Sequence, residues 1–201
     1  MARRADPALH ARRREQIVAG AAHAFAEKGY DGATVKDICR ASGLGSGTIF
    51  HYFADKRAIL HGMLEIDRDQ TIADLRAIED DDALAAFWRV IDRVTEDLRD
   101  PFAGPLAVAL LGQLLVDPVV GQLLGAIDTV AHTLLSDLIA RLQAEGRADP
   151  GWAPAHAATW VQSISDSLYL RCGDDGFDAD AELDRLRIVL ARALALSDTG
   201  S

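Results

Sequence analysis

The sequence predicts an all-α protein of about nine helices, on three observations. Almost every apolar series repeats at helical spacing, and none shows a convincing strand alternation. Alanine and leucine are plentiful while aromatic residues make up only 6% of the 201 residues, which favours helix over sheet. Hydrophobic residues at 49% and charged residues at 26% are typical of a globular protein.

Stop and capping signals divide these apolar series into helices. Gly29 is predicted to end the first helix as a left-handed stop, because glycine adopts a positive φ without steric penalty. Thr34 is predicted to cap the second helix, with Asp37 three residues later in the capping-box position. Asp117-Pro118 opens the long seventh helix as an N-cap followed by proline. The predicted helices cover about Ala8–Lys28, Val35–Ala41, Ser46–Tyr52, Asp55–Ile78, Leu84–Leu98, Leu106–Leu115, Pro118–Gly146, Ala153–Arg171 and Ala179–Leu196.

The net charge of −10 is unevenly distributed along the chain. Residues 1–60 carry ten Lys and Arg against six Asp and Glu, a net charge of +4. Residues 61–201 carry eleven Arg and twenty-five acidic residues, a net charge of −14. This asymmetry indicates either that the first part meets a polyanion or that both parts are ordinary solvated surface.

The sequence also predicts a compartment. The longest uncharged stretch, residues 101–116, is shorter than the roughly 20 residues that a membrane span needs. The first residues lack the apolar segment of a secretory signal. Two cysteines, Cys39 and Cys172, provide no disulfide framework and fit a reducing environment. We therefore expect a cytoplasmic protein with no membrane partner.

Residues 35–53, VKDICRASGLGSGTIFHYF, have the pattern of two short helices that cross at a tight turn. Apolar residues that include Ile38, Ile49 and Phe53 can close a small core between them. Gly43 lies where the turn needs a residue without a Cβ, as in helix-turn-helix units. In a DNA-binding unit of this kind the second helix enters the major groove. The alternative is a short helical hairpin with no role in DNA binding.

Short motifs follow one another in a fixed order around this segment. They are Gly29-Tyr30-Asp31, Ala33-Thr34-Val35-Lys36-Asp37-Ile38, Ala41-Ser42-Gly43-Leu44, Gly47-Thr48-Ile49-Phe50-His51-Tyr52-Phe53 and Asp55-Lys56-Arg57. In this combination, residues 10–65 resemble the TetR family of transcriptional regulators. The C-terminal two thirds match the family only in architecture. The resemblance implies a helix-turn-helix DNA-binding domain over residues 1–56 and a helical ligand-binding and dimerisation domain over residues 57–201.

The resemblance also implies DNA contacts by position. Thr34 and Lys36 would touch phosphates at the start of the second helix, and Tyr52 would touch another. Lys56 would attract an anion at the start of the fourth helix, where free N–H groups and the dipole already favour one. The third-helix residues that would meet bases and backbone are Ser46, Gly47, Thr48, Phe50 and His51.

Five arginines near the N-terminus have two interpretations. They either grip the DNA backbone or minor groove from an N-terminal arm, or form a solvated end of the chain. They are Arg3, Arg4, Arg12, Arg13 and Arg14.

Large or polar side chains on the predicted inner faces of the later helices are candidates for a small-molecule pocket, with plain core packing as the alternative. The candidates are Met63, Trp88, Phe102, Gln113, His132, Trp160 and Tyr169. The last two helices carry long apolar faces that include Leu186 and Leu190. In the family such helices pair across a twofold axis, so the resemblance implies a homodimer through them.

Together these inferences predict a dimeric repressor that binds a palindromic double-stranded DNA operator and is released by an unknown small-molecule effector. Phosphate-binding glycine loops, nucleophile motifs and metal-ligand spacings are lacking in the sequence, so we expect no enzyme activity, cofactor or metal. One alternative is a regulator of the same fold that activates transcription or responds to a partner protein. The other is a helical small-molecule-binding protein or enzyme without DNA binding.

Overall fold

The computed structural model describes residues 7–198, and this part of the chain forms nine α-helices and no strand. Short 3₁₀ turns follow α5 at Glu96–Arg99 and α8 at Leu168–Leu170. The all-α prediction of about nine helices is confirmed. The helices are α1 (Pro7–Gly32), α2 (Val35–Ser42), α3 (Ser46–Tyr52), α4 (Lys56–Arg76), α5 (Ala83–Thr95), α6 (Ala103–Leu114), α7 (Pro118–Ala144), α8 (Pro154–Ser167) and α9 (Ala179–Ala193).

The predicted caps are present at both short helices and at α7. Thr34 Oγ1 accepts from the backbone N–H of Asp37 at 3.3 Å, and the Asp37 carboxylate accepts from the backbone N–H of Thr34 at 3.0 Å. Gly43 ends α2 in the left-handed region, with φ 69° and ψ 16°. Asp117 Oδ1 accepts from the N–H of Val119 at 3.0 Å and thereby caps α7.

The end of α1 differs from the prediction in one dihedral angle. Gly29 has a positive φ of 70°, as expected, but its ψ of 163° lies outside the left-handed helical region. Glycine alone adopts this combination readily. The chain therefore continues from Gly29 through one further turn, to Gly32, across a kink rather than ending in a left-handed cap.

The chain packs as two compact units, of which the first comprises the described residues up to Asp69 together with Pro105–Leu124. Its core consists of apolar side chains from the first four helices and from the start of α7. Fully buried members are Ile17, Phe25, Ile38, Ile49, Ile59, Leu60 and Val120. The two short helices therefore depend on α1 and α4 for their burial, because neither could cover its own apolar face.

The second unit comprises Gln70–Gly104 and the described residues from Gly125 onward. Its core includes Phe87, Leu135 and Ile139, each with no exposed surface. Leu186 and Leu190 belong to this core, with 3% and 1% exposure, which corrects their assignment to a dimer seam. The apolar stripe of α9 that contains them packs against its own chain, and a second copy cannot reach it.

Packing and function divide the chain in different ways. The helix α4 crosses from the first unit to the second after Asp69, and α7 crosses after Leu124. The predicted division by function, residues 1–56 and 57–201, stays a prediction.

One helix, Pro118–Ala144, is long and apolar enough to cross a membrane by length and composition alone. This helix does not stand out as an uncharged stretch of the sequence, because it contains Asp128, Asp137 and Arg141. Charged groups are costly inside a bilayer, and core helices of soluble proteins pass the same length and composition test. A single helix of this kind is weak evidence for a membrane span, and 28% of the most apolar window of α7 is buried.

Candidate functional site

The outer face of α3 is a small, chemically mixed surface. Ile49, with no exposure, and Phe53, with 5%, anchor the helix from beneath. Thr48 and Tyr52 are half-buried at the edges of the helix. The predicted readers that are exposed on the opposite face are Ser46, Gly47, Phe50 and His51. The structure thus presents hydroxyl, ring and imidazole groups along a single short helix.

The turn before α3 is held by a close approach of α1 to the end of α2. A Cβ added at Gly20 would lie 2.7 Å from both the Cβ and the backbone nitrogen of Ser42, so only glycine fits there. Beside it, Gln16 Nε2 donates to the Ser42 carbonyl at 2.8 Å. These two contacts fix the place at which the chain turns from α2 towards α3.

In the first turn of α2, the carboxylate of Asp37 accepts hydrogen bonds from the Lys28 ammonium and the Thr34 hydroxyl. Lys28 Nζ lies 2.5 Å from Asp37 Oδ1, and the Thr34 hydroxyl donates to Asp37 Oδ2 at 2.6 Å. The hydrogen bond from Lys28, followed by those from Thr34, holds the pKa of Asp37 well below its usual range. The Thr34 hydroxyl hydrogen is thus already engaged, while Lys36 is exposed on the same helix.

Lys56 is engaged within the first unit. Its ammonium donates to the carbonyl oxygens of Tyr30 at 2.6 Å and Ala33 at 2.9 Å, and lies 4.4 Å from the centre of the Tyr30 ring. The Tyr30 carbonyl belongs to the last turn of α1, and that of Ala33 lies between α1 and α2. At least two of the three N–H donors of Lys56 are thus engaged within the protein, and the anion contact that the family resemblance implies for Lys56 stays a prediction.

The N-terminal part of α1 contacts α3 and α4 through its side chains. The rings of His10 and Tyr52 lie 4.7 Å apart, and the Arg14 guanidinium lies 4.8 Å from the centre of the Phe53 ring. Arg14 also pairs with Glu65 at 3.6 Å. Of the other predicted arm residues, Arg12 is exposed and Arg13 donates to Gln16 at 2.7 Å, while Arg3 and Arg4 lie outside the described residues.

Comparison with known proteins gives this helical unit a family. Residues 17–63 match the model of the bacterial regulatory proteins of the tetR family. This range runs from the core of α1 through α2 and α3 into α4. Over this segment the chain is similar to the TetR family of bacterial regulatory proteins.

Two relatives of known name share this part of the chain. The HTH-type transcriptional repressor Rv1474c of Mycobacterium tuberculosis is 44% identical over 63 residues, which are 31% of this chain and 34% of the relative. The HTH-type transcriptional repressor AcnR of Corynebacterium efficiens is 43% identical over 54 residues, which are 27% of this chain and 29% of that protein. The matched segment spans about a third of the length of these relatives.

The likeness in fold extends beyond that segment. A TetR transcription regulator from Haloarcula marismortui superimposes with a TM-score of 0.78, covering 92% of this chain and 98% of the other. The sequences are only 18% identical, so the likeness concerns the fold and not the ligand.

Two of the predicted pocket residues lie in the first unit. Met63 is buried, with 9% exposure, among the core residues of that unit. Gln113 is half-buried near the end of α6.

The other five predicted pocket residues lie in the second unit, in unlike surroundings. The Trp88 ring packs edge-on to Phe87 at 5.0 Å, and the Arg187 guanidinium lies 5.0 Å from its centre. The Tyr169 hydroxyl donates to the Val94 carbonyl at 2.9 Å. His132 Nε2 lies 3.0 Å from the Ala155 carbonyl oxygen. Trp160 and Phe102 are 52% and 37% exposed, which corrects their placement on inner faces.

The exposure of Trp160 has a simple cause in the pattern of α8. The side of α8 that faces the core carries Ala157, Ala158, Val161 and Ser165, all buried. These small and medium residues allow close packing, and the large indole is left on a second apolar side of the same helix.

A cleft of about 190 Å³ in the second unit contains none of the seven predicted pocket residues. It is small beside typical ligand pockets. Its lining residues are Ile78, Asp80, Ala86, Val90, Leu134, Asp137, Leu138 and Arg141.

Two features of the structure were not predicted from the sequence. Surrounding protein atoms, and secondarily Asp128, raise the pKa of the Asp166 carboxyl to about 6, although that carboxyl retains contact with solvent. The buried Asp117 carboxylate binds Arg57 and His61 in addition to capping α7. Asp117 was recognised in the sequence only as a cap, because its partners lie about sixty residues earlier in the chain.

Proposed function

We propose that this TetR-family protein is a transcriptional repressor whose residues 1–56 bind double-stranded DNA. The observation that carries the proposal is the arrangement of α3, with Ile49 buried beneath it and His51, Phe50 and Ser46 exposed above it. A short helix presented in this way fits the major groove, where base edges carry a distinct donor and acceptor pattern. Both relatives are named as repressors, which supports repression rather than activation of transcription.

The contacting residues divide by chemistry. Lys36 pairs with a phosphate at the start of α2, and such contacts position the protein without reading sequence. Ser46, Thr48 and His51 carry groups that hydrogen-bond base edges, and the exposed Phe50 ring offers an apolar contact for a thymine methyl group. Gly47 allows close approach of the backbone, and Tyr52 and Thr34 lie at the margin of the surface.

The protein acts as a homodimer through α8 and α9. Both helices carry exposed apolar side chains, namely Trp160 at 52%, Ile188 at 51% and Val189 at 47% exposure. Aromatic and aliphatic side chains of this kind form the cores of protein interfaces. A twofold dimer requires an operator that is roughly palindromic, with half-sites about one helical turn apart, roughly 34–36 Å.

Residues 57–201 bind a small-molecule effector that releases the operator. The candidates within the second unit are the half-buried Trp88, His132 and Tyr169, and a neutral apolar or cationic ligand is preferred. The net charge of −14 on residues 61–201 favours a neutral or cationic ligand over an anion. Operator and effector must then weaken each other's binding by the same factor. The site of action is the cytoplasm, where the chromosome lies, with no enzymatic step.

Selection of bound fragments from the genomic DNA of the source organism tests the DNA-binding proposal. The wild type should enrich fragments with a common inverted repeat, and a duplex of that repeat should bind in gel-shift titrations. Thr48→Ala and His51→Ala should change the preferred base at defined positions. Uniform loss on every duplex would contradict their assignment as readers, and failure of the wild type to enrich any fragment would contradict DNA binding.

A reporter placed behind the selected operator tests the sign of regulation. Repression by the wild-type protein should be relieved by a compound found in a screen for operator release. Trp88→Ala should weaken that release while binding of the ligand-free protein to the operator is retained. Increased transcription in the presence of the protein would favour an activator instead.

A further inference from the structure

The buried carboxylate of Asp117 lies at the junction of α7 and α4. Its side chain is only 6% exposed. Arg57 Nε donates to Oδ2 at 2.7 Å and Arg57 Nη2 donates to Oδ1 at 3.0 Å, a bidentate pair. His61 Nε2 lies 2.7 Å from Oδ2, and the Val119 N–H donates to Oδ1 at 3.0 Å. Each carboxylate oxygen therefore has two polar partners.

These partners come from defined turns of two helices. Arg57 and His61 are four residues apart and so lie one above the other on the same side of α4. Beneath them, Val120 and Leu123 of α7 belong to the same core cluster as Ile59 and Leu60 of α4. The polar network and the apolar contacts thus hold the first turns of the two helices together.

Burial makes this network selective for one arrangement. A desolvated carboxylate is costly unless its partners are in place, so sliding or rotating α7 against α4 would leave an unpaired charge. The hydrogen bond from Arg57 is the main reason that the pKa of Asp117 is held well below its usual range. Therefore only one register of α7 against α4 gives every polar group of the Asp117 network a hydrogen-bond partner.

The network is close in sequence to the proposed DNA reader. Only Phe53, Ala54 and Asp55 separate the end of α3 from the first residue of α4, and Arg57 follows directly. In the other direction α7 continues from Pro118 to Ala144 as one helix. A change in the register of α7 against α4 would accordingly alter the direction in which α3 is presented.

We propose that Asp117 is a positioning residue for operator binding, acting through Arg57 and His61 to fix the orientation of α3. This inference rests on the proposed DNA-binding function. In a dimer, the orientation of the two reading helices determines which half-site spacing is accepted. Asp117 accordingly determines spacing selectivity without touching DNA.

The decisive variant is Asp117→Asn, which keeps the size of the side chain and an oxygen that can cap Val119. In the asparagine an NH₂ group replaces one of the two carboxylate oxygens, both of which accept hydrogen bonds in the wild type. At least one donor from Arg57 or His61 therefore loses its acceptor. Binding to the selected operator duplex should weaken about tenfold, within the range expected for residues that modulate coupling. Binding to duplexes with one base pair inserted or removed between the half-sites should weaken much less.

Glu65→Gln is the matched control, because Glu65 is also on α4 but pairs with Arg14 of α1, at 3.6 Å. It should bind all three duplexes as the wild type does. Active protein is counted in each case by stoichiometric titration, so partial unfolding does not imitate a change in affinity. Arg57→Lys, which retains the charge but not the bidentate fork, should give an intermediate loss.

The outcomes distinguish this inference from the function on which it rests. If the wild type binds no duplex, the proposed function and this inference both fail. If it binds and Asp117→Asn has the same affinity and the same spacing selectivity, Asp117 is not a positioning residue although the function stands. A loss of affinity with unchanged spacing selectivity would also overturn the inference. Should Asp117→Asn not fold, the same measurements on Arg57→Lys decide it, since the Arg57 side chain is 58% exposed and tolerates substitution.

Discussion

The ammonium of Lys56 lies 2.6 Å from the backbone carbonyl oxygen of Tyr30 and 2.9 Å from that of Ala33. Carbonyls at the end of a helix have no partner within the helix, and a cation placed there also complements the helix dipole. Lys56 thus joins the first turn of α4 to the end of α1 and to the residue that follows it. A side chain that the family resemblance assigns to the DNA backbone is engaged in holding the DNA-binding unit together.

This geometry predicts the behaviour of Lys56→Met. The variant keeps an apolar stem over the Tyr30 ring but leaves the carbonyls without their charged donor, which should cost about 1–2 kcal/mol of unfolding free energy. Operator affinity should fall without a change in its salt dependence. Lys36→Met, which removes a phosphate contact, should instead lower the slope of log K against log salt by about 1 per contact. Gel-shift titrations at several salt concentrations, with urea unfolding, measure both effects, and a reduced salt slope for Lys56→Met would favour the phosphate contact.

The carboxylate of Asp37 predicts a pH dependence of stability. Its folded-state pKa lies below the ordinary value of 3.8, so ionised Asp37 stabilises the fold above about pH 4 and this contribution is lost as the pH falls further. Asp37→Asn should therefore lower the unfolding free energy at pH 7, and its difference from the wild type should shrink progressively below pH 4. Urea titrations at pH 7, 5 and 3.5 test the prediction. A constant difference across this range would show that Asp37 acts through capping alone.

The contact between α1 and α2 predicts that Gly20→Ala is destabilising. The added methyl group would lie 2.7 Å from the Ser42 backbone nitrogen, where neither helix can yield cheaply, and overpacking of this kind costs about 1–3 kcal/mol. Gly125→Ala on α7 is the control, because its Cβ would meet no atom within 4 Å. That variant should be stabilised by roughly 0.5–1 kcal/mol through helix propensity. Thermal unfolding of both proteins compares them directly, and a Gly20→Ala variant as stable as the wild type would contradict the close approach.

The exposed apolar residues of α9 predict where a dimer can be broken. The double substitution Ile188→Glu and Val189→Glu places two carboxylates at positions where the wild-type side chains are 51% and 47% exposed in the single chain. The variant should keep its helical circular dichroism but sediment as a monomer, because an unpaired buried charge costs several kcal/mol at an interface. Leu186→Glu is the contrasting variant and should lose helical structure, since Leu186 is 3% exposed within its own chain. A wild type that sediments as a monomer at micromolar concentration would contradict the dimer.

Interactions between near neighbours in the chain were enough to predict the helices, most of their caps and the helix-turn-helix segment. Helical spacing of apolar residues, the capping box of Thr34 and Asp37, and the positive φ of Gly43 depend on neighbours within a few residues. Such local interactions are the same whatever the rest of the chain does, which is why the boundaries of α3 at Ser46 and Tyr52 agree with the prediction. The motifs in this region sufficed to show the resemblance to the TetR family that the match of residues 17–63 supports.

Which side of a doubly apolar helix faces the core, and which distant groups meet, depends on the packing of the whole chain. Periodicity shows that α8 and α9 are apolar but does not show that Trp160 is exposed while Leu186 is buried. The contact of Lys56 with Tyr30 spans 26 residues and that of Arg57 with Asp117 spans 60. Pairings at such separations depend on how the helices pack in three dimensions, and no local pattern in the sequence records that packing.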